Sequence, residues 1–279
     1  MKYQLIRGDC LVEMKKIDDA SIDLILCDLP YGTTDQYSDS NENRVFDWDM
    51  VIPLDLLWEQ YKRILKPKGT VVLTADQPFT SQLVISNYEW FKYEWIWVKE
   101  KVIGFLLANY RPMKQTEDIL VFSPAGASAG SAKSGNSMTY NPQGLIPKRV
   151  KKRNNPKRLG VVIHNPDHLG SGNKLLTDSE YEQKFTNYPS EIINCSLDDE
   201  RVHPTQKPVA LMEYLIRTHS NEDDLVLDNC MGSGTTGVAC GRTGRRFVGI
   251  EQNQEFFTIA EERIKDSYFN LETMFGGDK

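Results

Sequence analysis

The chain has 279 residues, 40% of them hydrophobic, with a formal net charge of −6 and five cysteines. That length can bury about three quarters of the unfolded surface, so one large α/β domain with an insertion is expected. No run approaches the roughly 18 apolar residues of a membrane span, and the odd cysteines without paired spacing argue against a disulfide frame or a zinc site. All five thiols are read as structural. The start at Met1-Lys2-Tyr3 runs straight into strand-like sequence, so no signal peptide and a cytosolic location are expected.

Residues 3 to 7 read as a short strand delivering Gly8-Asp9-Cys10, and the apolar residues at 11, 12, 14 and 17 have helical spacing. Ile22 to Cys27 reads as a buried strand that presents Asp28-Leu29-Pro30-Tyr31-Gly32 at its carboxyl end. Thr33 to Asp49 is polar and aperiodic but holds Tyr37, Phe46 and Trp48, the pattern expected of a lid. Pro53 opens a helix with Leu54, Leu57, Trp58, Tyr61, Ile64 and Leu65 on one face, closed by Lys66-Pro67-Lys68-Gly69. A strand over 70–75, a helix over 79–86 and edge strands over 93–98 and 119–122 follow.

Ser123 to Ser137 has the Ser, Ala and Gly content of a flexible linker. From Ile119 to Pro166 there is no Asp or Glu, whereas Lys133, Lys148, Arg149, Lys151, Lys152, Arg153, Lys157 and Arg158 give the window a charge of +8. A basic patch on an acidic body steers a polyanion to one face, although a solvated basic loop accounts for the charge equally well. His164 and His168 lack partners at metal-ligand spacing and read as surface or turn residues. His203-Pro204-Thr205-Gln206-Lys207-Pro208 introduces an amphipathic helix with Val209, Leu211, Met212, Leu215 and Ile216.

The chain is organised around Leu225 to Gly237, a short apolar strand breaking into a glycine turn and then a helix. The turn satisfies G-x-G-x-x-G at Gly232, Gly234 and Gly237, in the strand–turn–helix context that gives the spacing meaning. Glu251 follows Gly232 by 19 positions at the end of the strand Phe247 to Ile250, where a carboxylate would meet ribose hydroxyls. These features point to a nucleoside cofactor. Gln254 to Ile264 reads as the last helix and residues 271–279 as a frayed tail.

Asp28-Leu29-Pro30-Tyr31 resembles the D-P-P-Y catalytic motif of the amino-group DNA methyltransferases. Asp228 to Thr236 is similar to their S-adenosylmethionine motif, D-P-F-x-G-S-G-T-T. Leu29 replaces the first proline and Asn229-Cys230 replaces Pro-Phe, but a backbone carbonyl at position 29 does not depend on a proline ring. The catalytic motif comes first and the cofactor motif near the C-terminus, an order that resembles the β class of these enzymes. The resemblance implies an α/β fold with a doubly wound, mostly parallel, seven-stranded Rossmann-like sheet, circularly permuted, with an inserted target-recognition region. Its parts would be a catalytic half over 1–123, the insertion over 124–200 and a cofactor-binding half over 201–279.

The resemblance further implies that Asp9, Cys10, Asp28, Thr205, Lys207, Asp228, Cys230, Gly232, Ser233, Gly234, Thr235, Glu251 and Gln252 bind S-adenosylmethionine, with Lys207 near its carboxylate. Residues 103–112 and Glu117 would border the target-base pocket, with Thr116 where the family often has His. Asp28, Leu29, Pro30 and Tyr31 form the catalytic set. The Asp28 carboxylate and the Leu29 carbonyl would accept both N–H bonds of the target amino group, and the Tyr31 ring would stack on the base. The expected activity is transfer of a methyl group to N6 of an adenine flipped out of double-stranded DNA. Contacts to DNA would come from Lys148, Arg149, Lys151, Lys152, Arg153, Lys157 and Arg158.

Methylation at N4 of cytosine, transfer to RNA or a protein amide, and an inactive DNA-binding protein stand as alternatives. A dinucleotide oxidoreductase would leave Asp28 to Tyr31 unexplained. Carbon methylation of cytosine needs a thiolate, whereas Cys27 precedes Asp28 within a strand and should face away from it. A homodimer and a cognate restriction nuclease are candidate partners, and the expected setting is the cytoplasm of a bacterial or phage-infected cell.

Overall fold

The structure, a computed structural model, describes residues 2–32, 50–153, 180–198 and 206–275. The expected lid with Tyr37, Phe46 and Trp48 lies outside the described residues, as do Lys157, Arg158, His164, His168, His203 and Thr205. The elements in order are β1 (Tyr3–Arg7), α1 (Cys10–Glu13), β2 (Ile22–Asp28), α2 (Leu54–Ile64), β3 (Leu65–Ala75), α3 (Phe79–Ser86), β4 (Phe91–Ile103), β5 (Lys114–Phe122) and α4 (Ala129–Lys133). Then come β6 (Ile146–Arg153), β7 (Glu180–Thr186), β8 (Ile192–Asn194), α5 (Val209–His219), β9 (Leu225–Asp228), α6 (Thr235–Thr243), β10 (Arg246–Glu251) and α7 (Gln254–Phe275).

Eight strands form one sheet in the order β1-β10-β9-β2-β3-β5-β4-β8. Neighbours are parallel except on either side of β5, which runs antiparallel to β3 and β4. The sheet is thus the expected mostly parallel α/β sheet, with one strand more than the seven anticipated. The addition is β8, three residues paired with β4 at Ile96↔Ile192, too short to read as a strand from sequence. The strand order turns at β9 and β2, the point where an open α/β sheet leaves a crevice beyond its carboxyl ends. The strand that leads into the glycine turn and the strand that ends in Asp28 are therefore direct neighbours, paired at Leu24↔Val226 and Ile25↔Leu227.

Side chains along a strand alternate between faces, and the two buried clusters divide accordingly. Leu24, Leu26, Val72, Trp95, Trp97, Ile119, Val121 and Val226 pack with α5, α6 and α7 on one face. Ile25, Cys27, Val71, Leu73, Leu120, Phe122 and Leu227 pack with α2 and α3 on the other. Each fully buried Leu, Ile or Val contributes roughly 1.5–3 kcal/mol of transfer free energy. Two-sided burial explains why the central strands read as continuous apolar runs.

The chain divides into two compact units, residues 1–141 with 190–279, and residues 142–189. Residues 123–137 are not the linker their composition suggested: Ala125 and Met138 are buried in the core of the first unit. The segment folds back on itself through Gly126 N–H to Asn136 O at 3.0 Å and Met138 N–H to Gly126 O at 3.0 Å. Small residues permit such close backbone return as readily as they permit flexibility. In the second unit β6 and β7 form an antiparallel ribbon. The last helix extends past the expected Ile264, to Phe275. Among the described residues no helix is long and apolar enough to cross a membrane.

Candidate active site

Strand parity builds the site. Asp28 follows Leu24 and Leu26 at period two, Thr74 follows Val72, and Glu117 and Lys99 continue the rows of Ile119 and Trp97. All four therefore point to the α5–α7 side of the sheet at its carboxyl edge. Register aligns Asp28 with Thr74 on β3 and Trp97 with Glu117 across β4 and β5. Lys207 reaches the same place from two residues before α5.

Thr74 donates its hydroxyl proton to Oδ1 of Asp28. The Tyr31 hydroxyl lies 2.7 Å from that same oxygen, 2.9 Å from Thr74 Oγ1 and 3.0 Å from Glu117 Oε1, so its single proton is shared between two carboxylates. Nζ of Lys207 is 2.9 Å from Oδ2 of Asp28 and 2.7 Å from Oε1 of Glu117. Lys99 is 2.7 Å from the other Glu117 oxygen and sits over the Trp97 ring. Burial alone would raise the Glu117 carboxyl, but the ammonium groups of Lys207 and then Lys99 outweigh it and hold the group at about 2. Burial likewise opposes the charge on Lys207, and Asp28 and Glu117 reverse that effect and hold it above the usual lysine range. Burial, then the two carboxylate charges, push the Tyr31 phenol well up, so it remains a neutral donor.

The resemblance places Lys207 at the cofactor's carboxylate; its ammonium also joins the Asp28 and Glu117 carboxylates at the end of β2. Tyr31 was anticipated only as a stacking ring, yet its hydroxyl helps orient Asp28 and its ring is tilted against Phe79 at 5.5 Å. Sequence reasoning missed Thr74 and Lys99 and gave Glu117 only a place near the pocket. Their signal was parity: each is a polar residue two positions from a buried apolar one, Val72, Trp97 or Ile119, on the same strand row. Leu29 is buried at 3% exposure.

The second half of the site lies on β9, β10 and β1. Gly232 and Gly234 have φ of +50° and +81°, a left-handed backbone that glycine adopts without steric cost. A Cβ on Gly234 would stand 2.9 Å from Ala260 Cβ, whereas one on Gly232 would meet nothing within 4 Å. The first glycine thus borders open space and the second closes the turn against α7. Glu251 at the end of β10 accepts the Gly232 N–H at 2.9 Å and the Asn253 N–H at 2.8 Å, tying the turn to the neighbouring strand. Burial raises its carboxyl above the ordinary value. Asp228, 3% exposed, accepts the Cys230 N–H at 3.1 Å, and burial lifts its carboxyl to about 7.

Asp9 caps α1 by accepting the Val12 N–H at 3.0 Å. Ser233 is held by Arg263, which donates to its hydroxyl at 3.0 Å. Thr235 opens α6 and is nearly buried, while Gln252 is exposed. The neighbouring Cys230 thiol and burial push the Cys10 thiol well up, and burial pushes the Cys27 thiol up to about 12. Cys27 faces the α2 side, away from Asp28 as expected. The expected S-adenosylmethionine fits this half: open ground beside Gly232, the first-turn N–H groups of α6, and acids Asp9, Asp228 and Glu251 on three adjacent strand ends.

The model of the N6/N4-methyltransferase family, described as DNA methylase, matches residues 22–262. The type II methyltransferase M.HpaI of Haemophilus parainfluenzae is 29% identical over 275 residues, covering 97% of this chain and 76% of that protein. The DNA adenine methyltransferase YhdJ of Escherichia coli (strain K12) is 27% identical over 266 residues, covering 93% of this chain and 82% of that one. Among solved structures, the cytosine-N4-specific PvuII DNA methyltransferase superposes with a TM-score of 0.62 at 15% identity, covering 98% of this chain and 93% of the other. That likeness concerns the fold. A match running from β2 through the glycine turn to the last helix shows that the chain belongs to the N6/N4-type DNA methylase family.

Proposed function

We propose that the protein is a site-specific DNA methyltransferase acting on the N6 amino group of adenine, with Asp28 as the group that engages the reacting nitrogen. The observation that carries the reading is the Asp28 carboxylate, oriented by Thr74, Tyr31 and Lys207, at the end of the strand beside the glycine turn. S-adenosylmethionine, the family's cofactor, supplies an electrophilic methyl group when bound. Asp9, Cys10, Asp28, Lys207, Asp228, Cys230, Gly232, Ser233, Gly234, Thr235, Glu251 and Gln252 form the proposed cofactor-binding set, with Thr205 outside the described residues.

An adenine amino group is a poor nucleophile because its lone pair is delocalised into the ring. Asp28 and the Leu29 carbonyl accept its two N–H bonds and draw the nitrogen toward tetrahedral geometry. Oδ1 of Asp28 is already occupied by the Thr74 and Tyr31 hydroxyls, so Oδ2, which among the described residues meets Lys207, is the oxygen that faces the substrate. The carboxylate also offsets positive charge developing on nitrogen in the transition state. Pro30 and the Tyr31 hydroxyl bonds fix the turn that carries these acceptors. Transfer is direct, because the Cys27 thiol stays protonated near neutral pH and faces the other side of the sheet. An amino group inside a duplex is out of reach, so the target base must leave the stack.

Lys148, Arg149, Lys151, Lys152 and Arg153 lie on β6 of the ribbon in the second unit. A two-stranded ribbon matches the width of the major groove. Lys151 stands opposite Glu182 and Arg153 opposite Glu180, whereas Lys152 stands opposite Tyr181 and Val150 opposite Gln183. The face of Val150, Lys152 and Gln183 is therefore the one suited to meet DNA. The type II name of one relative supports a modification role beside a restriction nuclease.

A second reading, N4 of cytosine, stands because the matched family joins N6 and N4 methylases; the adenine name of one relative favours N6. Incubation with unmethylated genomic DNA and S-adenosylmethionine, followed by nucleoside mass spectrometry, distinguishes them. N6-methyladenine is the expected product, N4-methylcytosine would transfer the proposal to the second reading, and no methylated nucleoside would contradict both.

A further inference from the structure

The long strands β4 and β5 end in a tip that the catalytic chemistry does not use. Gly104 turns the chain at φ +92° into a single 3-10 turn, Phe105–Leu107. Leu106 is 92% exposed, Tyr110 86% and Phe105 79%, with Ile103 and Val102 also exposed. Apolar side chains gathered at one point in water mark an interaction site.

Position identifies what the tip meets. β4 runs in the direction of β3 and β2, since both it and β3 are antiparallel to β5. Its carboxyl end therefore lies at the sheet edge that carries Asp28. The root of the tip is the site itself: Lys99 and Glu117 belong to these two strands and are bonded to each other, and Glu117 is bonded to Tyr31. Glu117 lies three residue steps from Lys114 along β5, about 10 Å of strand. Exposed Lys101 and Arg111 flank the turn, a charge pattern suited to phosphates on either side of an apolar point. Phe, Leu and Tyr together offer on the order of 500 Å², below the roughly 800 Å² per partner of a stable protein interface. A small convex apolar tip suits a narrow slot between apolar plates better than a flat protein surface.

We propose that the Phe105–Leu107 turn is a wedge that enters the DNA duplex and fills the gap left by the extrahelical target base, with Leu106 at its point. The proposal rests on the reading that the target base leaves the stack. That event opens a slot bounded by two base faces, and apolar wedges are known to occupy such steps. Occupying it stops the base from returning while the Asp28 carboxylate engages its amino group.

The test compares wild type with Phe105→Ala/Leu106→Ala on two duplexes carrying a site mapped by sequencing of methylated DNA. One duplex is fully paired; the other has an abasic position opposite the target base, which lowers the cost of extrusion. The variant should lose roughly tenfold to a hundredfold in methylation rate on the paired duplex and recover to within about threefold of wild type on the abasic one, with unchanged S-adenosylmethionine affinity. Unchanged activity on the paired duplex, or an equal loss on both, would overturn the wedge. A variant that changes oligomeric state on gel filtration would assign the tip to a second copy of the chain and overturn it too. Wild type inert on both duplexes would instead refute the methyltransferase reading.

Discussion

The ammonium of Lys207 lies 2.9 Å from Oδ2 of Asp28 and bridges it to Glu117. Asp28 is thereby held from three sides, by Lys207, Thr74 and Tyr31, before any substrate arrives. Replacing Lys207 with Met removes one cation from between two carboxylates while roughly keeping volume. Without it, burial outweighs Lys99 more readily and the Glu117 carboxyl titrates at higher pH. The acid limb of the activity profile should move upward and kcat should fall about tenfold or more, with S-adenosylmethionine Kd within about threefold of wild type. A large loss of cofactor affinity with kcat intact would return Lys207 to the cofactor's carboxylate.

The two glycines of the turn separate binding from folding. Gly234→Ala forces a Cβ to 2.9 Å from Ala260 at a positive φ, and should cost about 1–3 kcal/mol of stability, seen as a lowered Tm. Gly232→Ala puts its Cβ into open space and should reduce S-adenosylmethionine affinity by a larger factor than its smaller effect on Tm suggests. Calorimetric titration with thermal melts on both variants checks the contrast.

His219 is fully buried, with Tyr93, Trp95 and Tyr140 rings at 6.2–6.5 Å, and burial pushes its pKa down to about 3. Its folded value lies below its unfolded value of 6.5, so between these the unfolded chain binds more protons. Its contribution to stability is full above pH 6.5 and is lost as pH falls toward 3, by up to about 1.4 kcal/mol per unit. Urea unfolding at pH 7 and pH 5 should differ by roughly 2 kcal/mol more in wild type than in His219→Phe.

Substituting Lys151, Lys152 and Arg153 together by Ala should weaken DNA binding and flatten its dependence on salt. Because Lys151 and Arg153 pair in register with Glu182 and Glu180, Lys152→Ala alone should account for most of the change. Equal affinity and slope in the triple variant would remove the ribbon from the DNA interface.

Much of this architecture is legible in the amino-acid sequence. Ile22 to Cys27 and Leu225 to Leu227 read as buried strands because their rows are apolar on both faces, and the residues that end them carry recognisable motifs. What stayed hidden depends on register between strands distant in sequence. Nothing local tells that Thr74 aligns with Asp28, or that Lys99 and Glu117 meet across β4 and β5. The pairing of Lys207 with Asp28 stayed hidden for the same reason: its reach follows from where α5 packs. Residues 123–137 misled because small residues serve tight packing and loose linkers alike.

The central claim is that Asp28 engages the amino group that accepts the methyl. The direct measurement is N6-methyladenine formation and S-adenosylmethionine binding by wild type and Asp28→Ala side by side, on the same unmethylated DNA. The account predicts cofactor affinity close to wild type and a loss of methyladenine formation of at least about a hundredfold. An Asp28→Ala protein that binds the cofactor and still methylates adenine at a rate near wild type would contradict it.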